Sequence, residues 1–227
     1  MLYNVVVNDW GETTFVPTLL GQVLLGIAIL VLLLVAIRLV RKTTEKTSIA
    51  LSAKQLVFCA MAIALATVLS NLKLFHFPTG GSITLFSMLV ICLPGYWFGL
   101  LPGLLTGLAY GVLQLIIDPY VLYPMQLVVD YLFAFSALGL SGLFANKKNG
   151  LIWGYLTGIC GRFVFAVISG WIFFGSYAWE GWGAFSYSLV YNAIYIFSEA
   201  ALTVIVLLLP PVRKAFTMLK NLALDQK

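Results

Sequence analysis

Seven apolar runs, at about residues 17–40, 53–72, 84–99, 100–117, 124–144, 151–174 and 186–209, take up most of this 227-residue chain. Most of them approach the roughly 20 residues that a helix needs to cross a bilayer. Their apolarity is continuous, whereas the strands of a membrane barrel alternate apolar with polar positions. Charged residues make up 9% of the chain and the mean hydropathy is +1.02. A soluble domain carries about 25% charged residues. The expectation is therefore an all-α integral membrane protein.

Charge decides how the runs are threaded. Residues 1–14 hold Asp9 and Glu12 but no Lys or Arg, and Arg38, Arg41, Lys42 and Lys46 cluster at the far end of the first run. A secretory signal has its positive charge ahead of the apolar run. The first run thus reads as a retained helix with the N-terminus outside. From Lys54 onward the chain alternates. Outer turns fall at Pro78-Thr79-Gly80-Gly81, at Asp118-Pro119 and at the aromatic stretch after Gly170. Pro94-Gly95 and Pro102-Gly103 punctuate a very short inner connection, Asn146 to Gly150 forms another, and the chain after Pro210-Pro211 ends inside. Of 13 basic residues, all but Lys73 and Arg162, hence 11, fall on the inner side, as the positive-inside rule requires. Two units are expected: 1–52, an additional N-terminal transmembrane helix with a cytoplasmic linker, and 53–227, a six-helix membrane domain.

Enzymatic machinery is not visible. Cys59, Cys92 and Cys160 are isolated, His76 is the single histidine, and no H-E-x-x-H, Walker A or G-x-S-x-G motif occurs. The residues therefore point to no metal site, no cofactor and no catalysis. Two small-residue patterns bear on packing instead. Gly99, Gly103, Gly107 and Gly111 recur every four residues and make a smooth face for close helix approach. Ala60, Ala62, Ala64 and Ala66 make a small-residue surface, with Ala60 and Ala64 as an alternative docking surface for another membrane protein.

Ionisable groups at membrane depth are costly and are paired or functional. Arg162 and Glu199 lie at matching depth on consecutive antiparallel runs, which predicts an ion pair. Asp130 lies nearer the outer end of its run, as do Asn192 and Tyr187. The stretch from Gly170 to Asn192 adds Trp171, Phe174, Tyr177, Trp179, Trp182 and Tyr191 around Gly175, Gly181 and Gly183. Rings at a boundary commonly form only an interfacial belt. Crowded on a glycine-rich turn before a polar Asn192, they read better as a lid over an aromatic site. Asp130, Tyr131, Tyr187, Trp179 and Asn192 then converge in the outer half of the bundle. A carboxylate among ring faces suits an organic cation. The alternative is an Asp130 satisfied by an internal hydrogen bond.

Three stretches carry a family resemblance: Pro78-Thr-Gly-Gly-Ser-Ile, Tyr123-Pro-Met-Gln-Leu-Val-Val-Asp-Tyr-Leu-Phe-Ala-Phe, and the run from Phe173 to Asn192. They resemble the thiamine-specific S component, of the ThiT/YuaJ type, of energy-coupling factor (ECF) transporters, over about residues 53–215. The resemblance implies a six-helix S-component bundle in the plasma membrane of a bacterium, here with the extra N-terminal helix and a cytoplasmic C-terminus. It implies capture of thiamine from outside. Delivery would take an ECF transmembrane coupling subunit and two ATP-binding subunits, which use the ATP. It implies ligand positions at Asp130, Tyr131, Tyr120, Phe174, Tyr187 and Asn192, and a coupling-subunit surface at Ala60 and Ala64. Trp179 rests on the reading of the aromatic turn rather than on the family motif.

The sequence departs from the pattern at Ala166, where the family has a histidine four residues after its basic residue, here Arg162. That departure leaves open an S component for a thiamine-related precursor. His76 is read as a surface-loop histidine, with a substitute role for the missing one as the alternative. A stand-alone proton-coupled transporter is the competing class, because Asp130 and Glu199 are carboxylates at membrane depth.

Overall fold

The computed structural model describes residues 2–7, 13–21, 23, 24, 27, 51–77 and 80–224. Positions 19–21, 23, 24 and 27 are helical. The helix expected from residue 17 starts later, because Pro17 ends a strand and Thr18 is not helical; its other positions to 40, and the linker as far as residue 50, lie outside the described residues. The segment ahead of that helix contains a feature that its composition did not announce. Strands β1 (Tyr3–Val7) and β2 (Thr13–Pro17) pair antiparallel, with Tyr3 opposite Pro17 and Val7 opposite Thr13.

Six helices build the bundle among the described residues: α1 (Ala53–Asn71), α2 (Ser87–Phe98), α3 (Leu100–Ile117), α4 (Pro124–Phe144), α5 (Gly150–Phe173) and α6 (Ala184–Leu208). Five of them are long and apolar enough to cross a membrane, and the shorter α2 is apolar too. The chain is a helical membrane protein, as its composition predicts. A capping box starts α1: Ser52 Oγ accepts from Gln55 N, and Gln55 Oε1 accepts from Ser52 N. Helix α2 is apolar on every side, which fits a helix surrounded by others. It packs against α1, α3, α4 and α5, and its Ile91 and Cys92 are fully buried.

The connection between α2 and α3 is tighter than the two Pro-Gly pairs suggest. Pro94 lies within α2 and Pro102 in the first turn of α3, and the joint is Gly99 alone, at φ 96°. That φ favours glycine, because a Cβ there would crowd the backbone. The four-residue glycine series thus divides into one joint and three packing positions. A Cβ on Gly103 would stand 2.6 Å from Gly95 Cα and 2.8 Å from the Gly139 carbonyl oxygen. Added at Gly107 or Gly111, it would meet the carbonyls of Phe135 and Tyr131. Gly139 and Gly142 reciprocate against the backbone of α3.

Helix α4 is irregular. It opens with an α turn, widens into a π-helical segment at Val128–Phe133, and tightens to a 3-10 helix at Ala137–Phe144. A π turn inserts a residue into the helical frame and is frequent at functional sites. Between α1 and α2, strands β3 (Lys73–His76) and β4 (Ser82–Thr84) pair antiparallel as a hairpin; of the turn expected at Pro78-Thr79-Gly80-Gly81, the first two residues lie outside the described residues. After α6, Pro210 begins a further helix, α7 (Pro210–Leu224). The proline pair reads as a stop in the sequence, yet proline is well suited to the first turn of a helix.

Candidate functional site

A cavity of about 260 Å³ lies inside the bundle, reached from the end where α1 finishes and α6 begins. Helical spacing explains its walls. Arg162, Ala166, Gly170 and Phe174 recur every fourth residue and bring one face of α5 to it, and Tyr187, Tyr191 and Tyr195 do the same for α6. The wide turn of α4 contributes Asp130, Tyr131 and, deeper, Phe135. The β3–β4 hairpin covers the mouth with His76, Gly80 and Ser82.

Six of the seven expected ligand residues meet here: Asp130, Tyr131, Tyr120, Phe174, Tyr187 and Asn192 all line the cavity. Tyr120 and Phe174 face each other nearly parallel, with ring centroids 6.0 Å apart and 15° between planes. Trp179 stands elsewhere. It is 40% exposed, and its ring meets Tyr187 edge-on at 5.2 Å, so it backs a cavity residue instead of lining the wall. Trp171 and Phe185 pair with each other on the outside. The aromatic stretch thus combines the two sequence readings: part is cavity wall and part is outward-facing belt.

Hydrogen bonds fix several of these groups. Tyr131 Oη accepts from Tyr120 N at 2.7 Å and donates to the Asp118 carbonyl at 3.1 Å, which ties the α3–α4 loop to α4. Asn192 Nδ2 donates to the Ser188 carbonyl, and its Oδ1 accepts from Tyr195 Oη at 2.7 Å. Gln126 Nε2 donates to Asp130 Oδ2 at 3.2 Å and to the Tyr120 carbonyl at 2.7 Å. Asp130 therefore has an internal bond and also faces the cavity. Outside the membrane-spanning helices, burial pushes the Tyr120 phenol above its ordinary pKa and neighbouring Tyr177 adds to the shift, so the hydroxyl stays protonated near neutrality.

The expected Arg162–Glu199 ion pair does not form among the described residues. Glu199 Oε2 accepts from Thr84 N at 3.0 Å and from Thr84 Oγ1 at 2.6 Å, while Oε1 accepts from Met88 N at 3.1 Å. The amide and hydroxyl of Thr84, at the end of β4, and the free amide of Met88, in the first turn of α2, already satisfy the carboxylate. Arg162 instead lies over the Phe135 ring, 4.2 Å from its centroid. Matching depth on two antiparallel helices sets the height of two groups but not the direction they face. Both side chains nevertheless line the cavity floor.

At the rim Lys73 Nζ bonds Asp118 Oδ2 at 2.6 Å, joining the hairpin to the α3–α4 loop. His76 Nδ1 and Ser82 Oγ are 2.8 Å apart across the same hairpin. Tyr191 Oη donates to the Gly80 carbonyl at 2.6 Å. The sequence reading did not single out Gln126, Ser188 or Tyr195, although their spacing from Asp130, Asn192 and Tyr191 puts them on the same faces.

Away from the cavity, α1 splits its alanines. Ala62 and Ala66 are buried, whereas Ala60 and Ala64 are exposed beside Met61 and Leu65.

Three comparisons bear on this architecture. A family model described as thiamine transporter protein (Thia_YuaJ) matches residues 56–219. The thiamine transporter ThiT of Bacillus subtilis is 35% identical over 171 residues, covering 68% of this chain and 88% of that protein. A second relative, ThiT of Lacticaseibacillus paracasei, is 31% identical over 125 residues, covering 48% of this chain and 62% of its own. The solved structure of ThiT from Listeria monocytogenes aligns with a TM-score of 0.59 at 27% identity, over 71% of this chain and 96% of that one.

Proposed function

This chain belongs to the thiamine transporter protein family of the YuaJ type, and from that membership we propose that it is a substrate-capturing S component that binds thiamine in the cavity beneath the β3–β4 hairpin. The observation that carries the reading is Asp130, a carboxylate on a cavity walled by Tyr120, Phe174, Tyr187 and Tyr191. Thiamine has a permanently cationic thiazolium ring and a flat aminopyrimidine. The carboxylate and the ring faces suit the cation, and the parallel Tyr120 and Phe174 suit a flat ring. Tyr131 and Asn192 hold the frame through their own hydrogen bonds and present their remaining edges to the ligand. Trp179 acts through Tyr187, which it backs.

Ala166 leaves space one helical turn above Arg162. The guanidinium, stacked on Phe135 and lining the floor, supplies the polar group for the deep end of the ligand in place of the family histidine.

Uptake on this reading needs an ECF coupling subunit and two ATP-binding subunits, with Ala60 and Ala64 on the docking face. The N-terminus and the cavity mouth lie outside and the C-terminus in the cytoplasm of a bacterial cell, a threading supported by the distribution of basic residues.

The test is titration of the detergent-solubilised protein with thiamine, followed by intrinsic fluorescence and by calorimetry. Saturable binding that weakens in Asp130→Asn is the expected result. A folded protein that binds neither thiamine nor its pyrimidine and thiazole fragments would overturn the reading.

A further inference from the structure

We propose that α7 is an interfacial helix that binds the headgroups of anionic phospholipids. The first observation is its position. Membrane-spanning α6 ends at Leu208, and α7 begins two residues later, at Pro210. It therefore starts where the chain leaves the hydrocarbon.

The second observation is the breadth of its apolar face. Val212, Phe216 and Ala223 pack against the bundle core. The adjoining stripe, Pro211, Ala215, Met218 and Leu222, is exposed, with Met218 57% and Leu222 62% accessible. At 3.6 residues per turn the two stripes are neighbours on the helix surface, so the bundle covers only half of the apolar face. A helix with a broad apolar face and a basic polar face lies in the plane of a membrane interface.

The third observation is charge. Lys147, Lys148, Arg213 and Lys214 are exposed at this end of the bundle, and its described residues include no Asp or Glu. Other contacts fasten the helix there. Lys54 Nζ donates to the Leu222 carbonyl at 2.7 Å, and Arg213 Nη2 donates to Asn149 Oδ1 at 2.5 Å. A second cavity, of about 140 Å³, opens at the seam between α7 and α5, with Asn149, Arg213 and Thr217 on its wall. An apolar stripe beside a surface that is cationic among the described residues matches acyl chains beside anionic headgroups.

Two experiments test this on the full chain. Cys59 and Cys92 are buried and Cys160 is exposed, so a Cys160→Ser background allows spin labels at Met218→Cys, Leu222→Cys and Thr217→Cys. In phosphatidylcholine vesicles containing phosphatidylglycerol, oxygen should reach the labels at 218 and 222 and an aqueous nickel complex should not. The label at 217 should behave in the opposite way. Equal nickel access at all three positions would overturn the proposal. So would shielding that appears only when other membrane subunits co-purify, which would assign the stripe to a protein contact.

In native mass spectrometry, Lys147→Gln, Lys148→Gln and Lys214→Gln should each lower retention of phosphatidylglycerol over phosphatidylcholine by about fivefold. Unchanged retention in the triple variant would sink the lipid assignment. Thiamine titration of each variant serves as the folding control, because none of these residues lines the binding cavity.

Discussion

Asp130 meets two demands with one side chain. Its Oδ2 accepts from Gln126, and the carboxylate still faces the cavity. If it balances a cationic ligand, Asp130→Asn should weaken thiamine by about tenfold to a hundredfold, the range of a hydrogen bond to a charged group. A neutral isostere should lose far less. Calorimetric titration of both ligands checks this, and equal losses would deny the charge a role. Glu199 answers to a different test, because its partners are donors of the protein itself. Glu199→Gln replaces one carboxylate oxygen by an NH2 donor that faces Thr84 N or Met88 N and should cost about 1–3 kcal/mol of stability, read as a lower thermal midpoint in detergent. Asp130 and Tyr187 were legible in the sequence because depth and residue type suffice to place a polar group near a mouth. The partners of Glu199 were not, since two of the three are backbone N–H groups, which every residue but proline carries, and the third is the hydroxyl of Thr84, 115 residues away in the chain.

At the scale of the element, α3 and α4 form the seam that positions the site. Gly111 lies against the Tyr131 carbonyl, next to Asp130 in sequence. Gly111→Ala should push the helices apart, cost about 1–3 kcal/mol as overpacking, and weaken thiamine binding with it. Gly99→Ala makes an informative contrast. Beyond its own chain neighbours no atom stands within 4 Å of a Cβ there, but φ is 96°, so the cost is local backbone strain of about 1–2 kcal/mol, with thiamine binding unchanged. Paired melting curves and titrations of the two variants separate packing from conformation. The every-fourth-residue glycines announced a close helix contact in the sequence. Neither the partner nor the exceptional status of Gly99 could be read from spacing, because spacing gives the face of a helix and not its neighbour. The π turn of α4 was hidden for a related reason. Composition sets helix propensity, whereas the extra residue in the turn is a response to tertiary packing. Helix α7 escaped because Pro210-Pro211 was read as an end, when the same residues begin a helix.

On the proposed function the whole molecule separates its tasks among surfaces. The cavity and its hairpin occupy one end, the basic helix α7 is fastened at the other, and α1 presents Ala60 and Ala64 outward along the side. The seven runs and the charge pattern made the helical architecture readable, since hydrocarbon admits few backbone solutions. The side surface is where capture and uptake can be told apart. Ala60 points away from the cavity, so a larger side chain there has no route to the ligand. Small residues permit close backbone approach by a partner helix, and a leucine would hold that helix off. Ala60→Leu should therefore leave thiamine titration of the isolated protein unchanged while lowering uptake in vesicles that contain the coupling and ATP-binding subunits. Ala62→Leu supplies the contrast. Ala62 is 5% exposed within the bundle, and a larger side chain there should lower the thermal midpoint and binding together. If Ala60→Leu behaved like Ala62→Leu, position 60 would belong to the packing of the bundle. If it left uptake untouched, partner contact would have to be sought on another face.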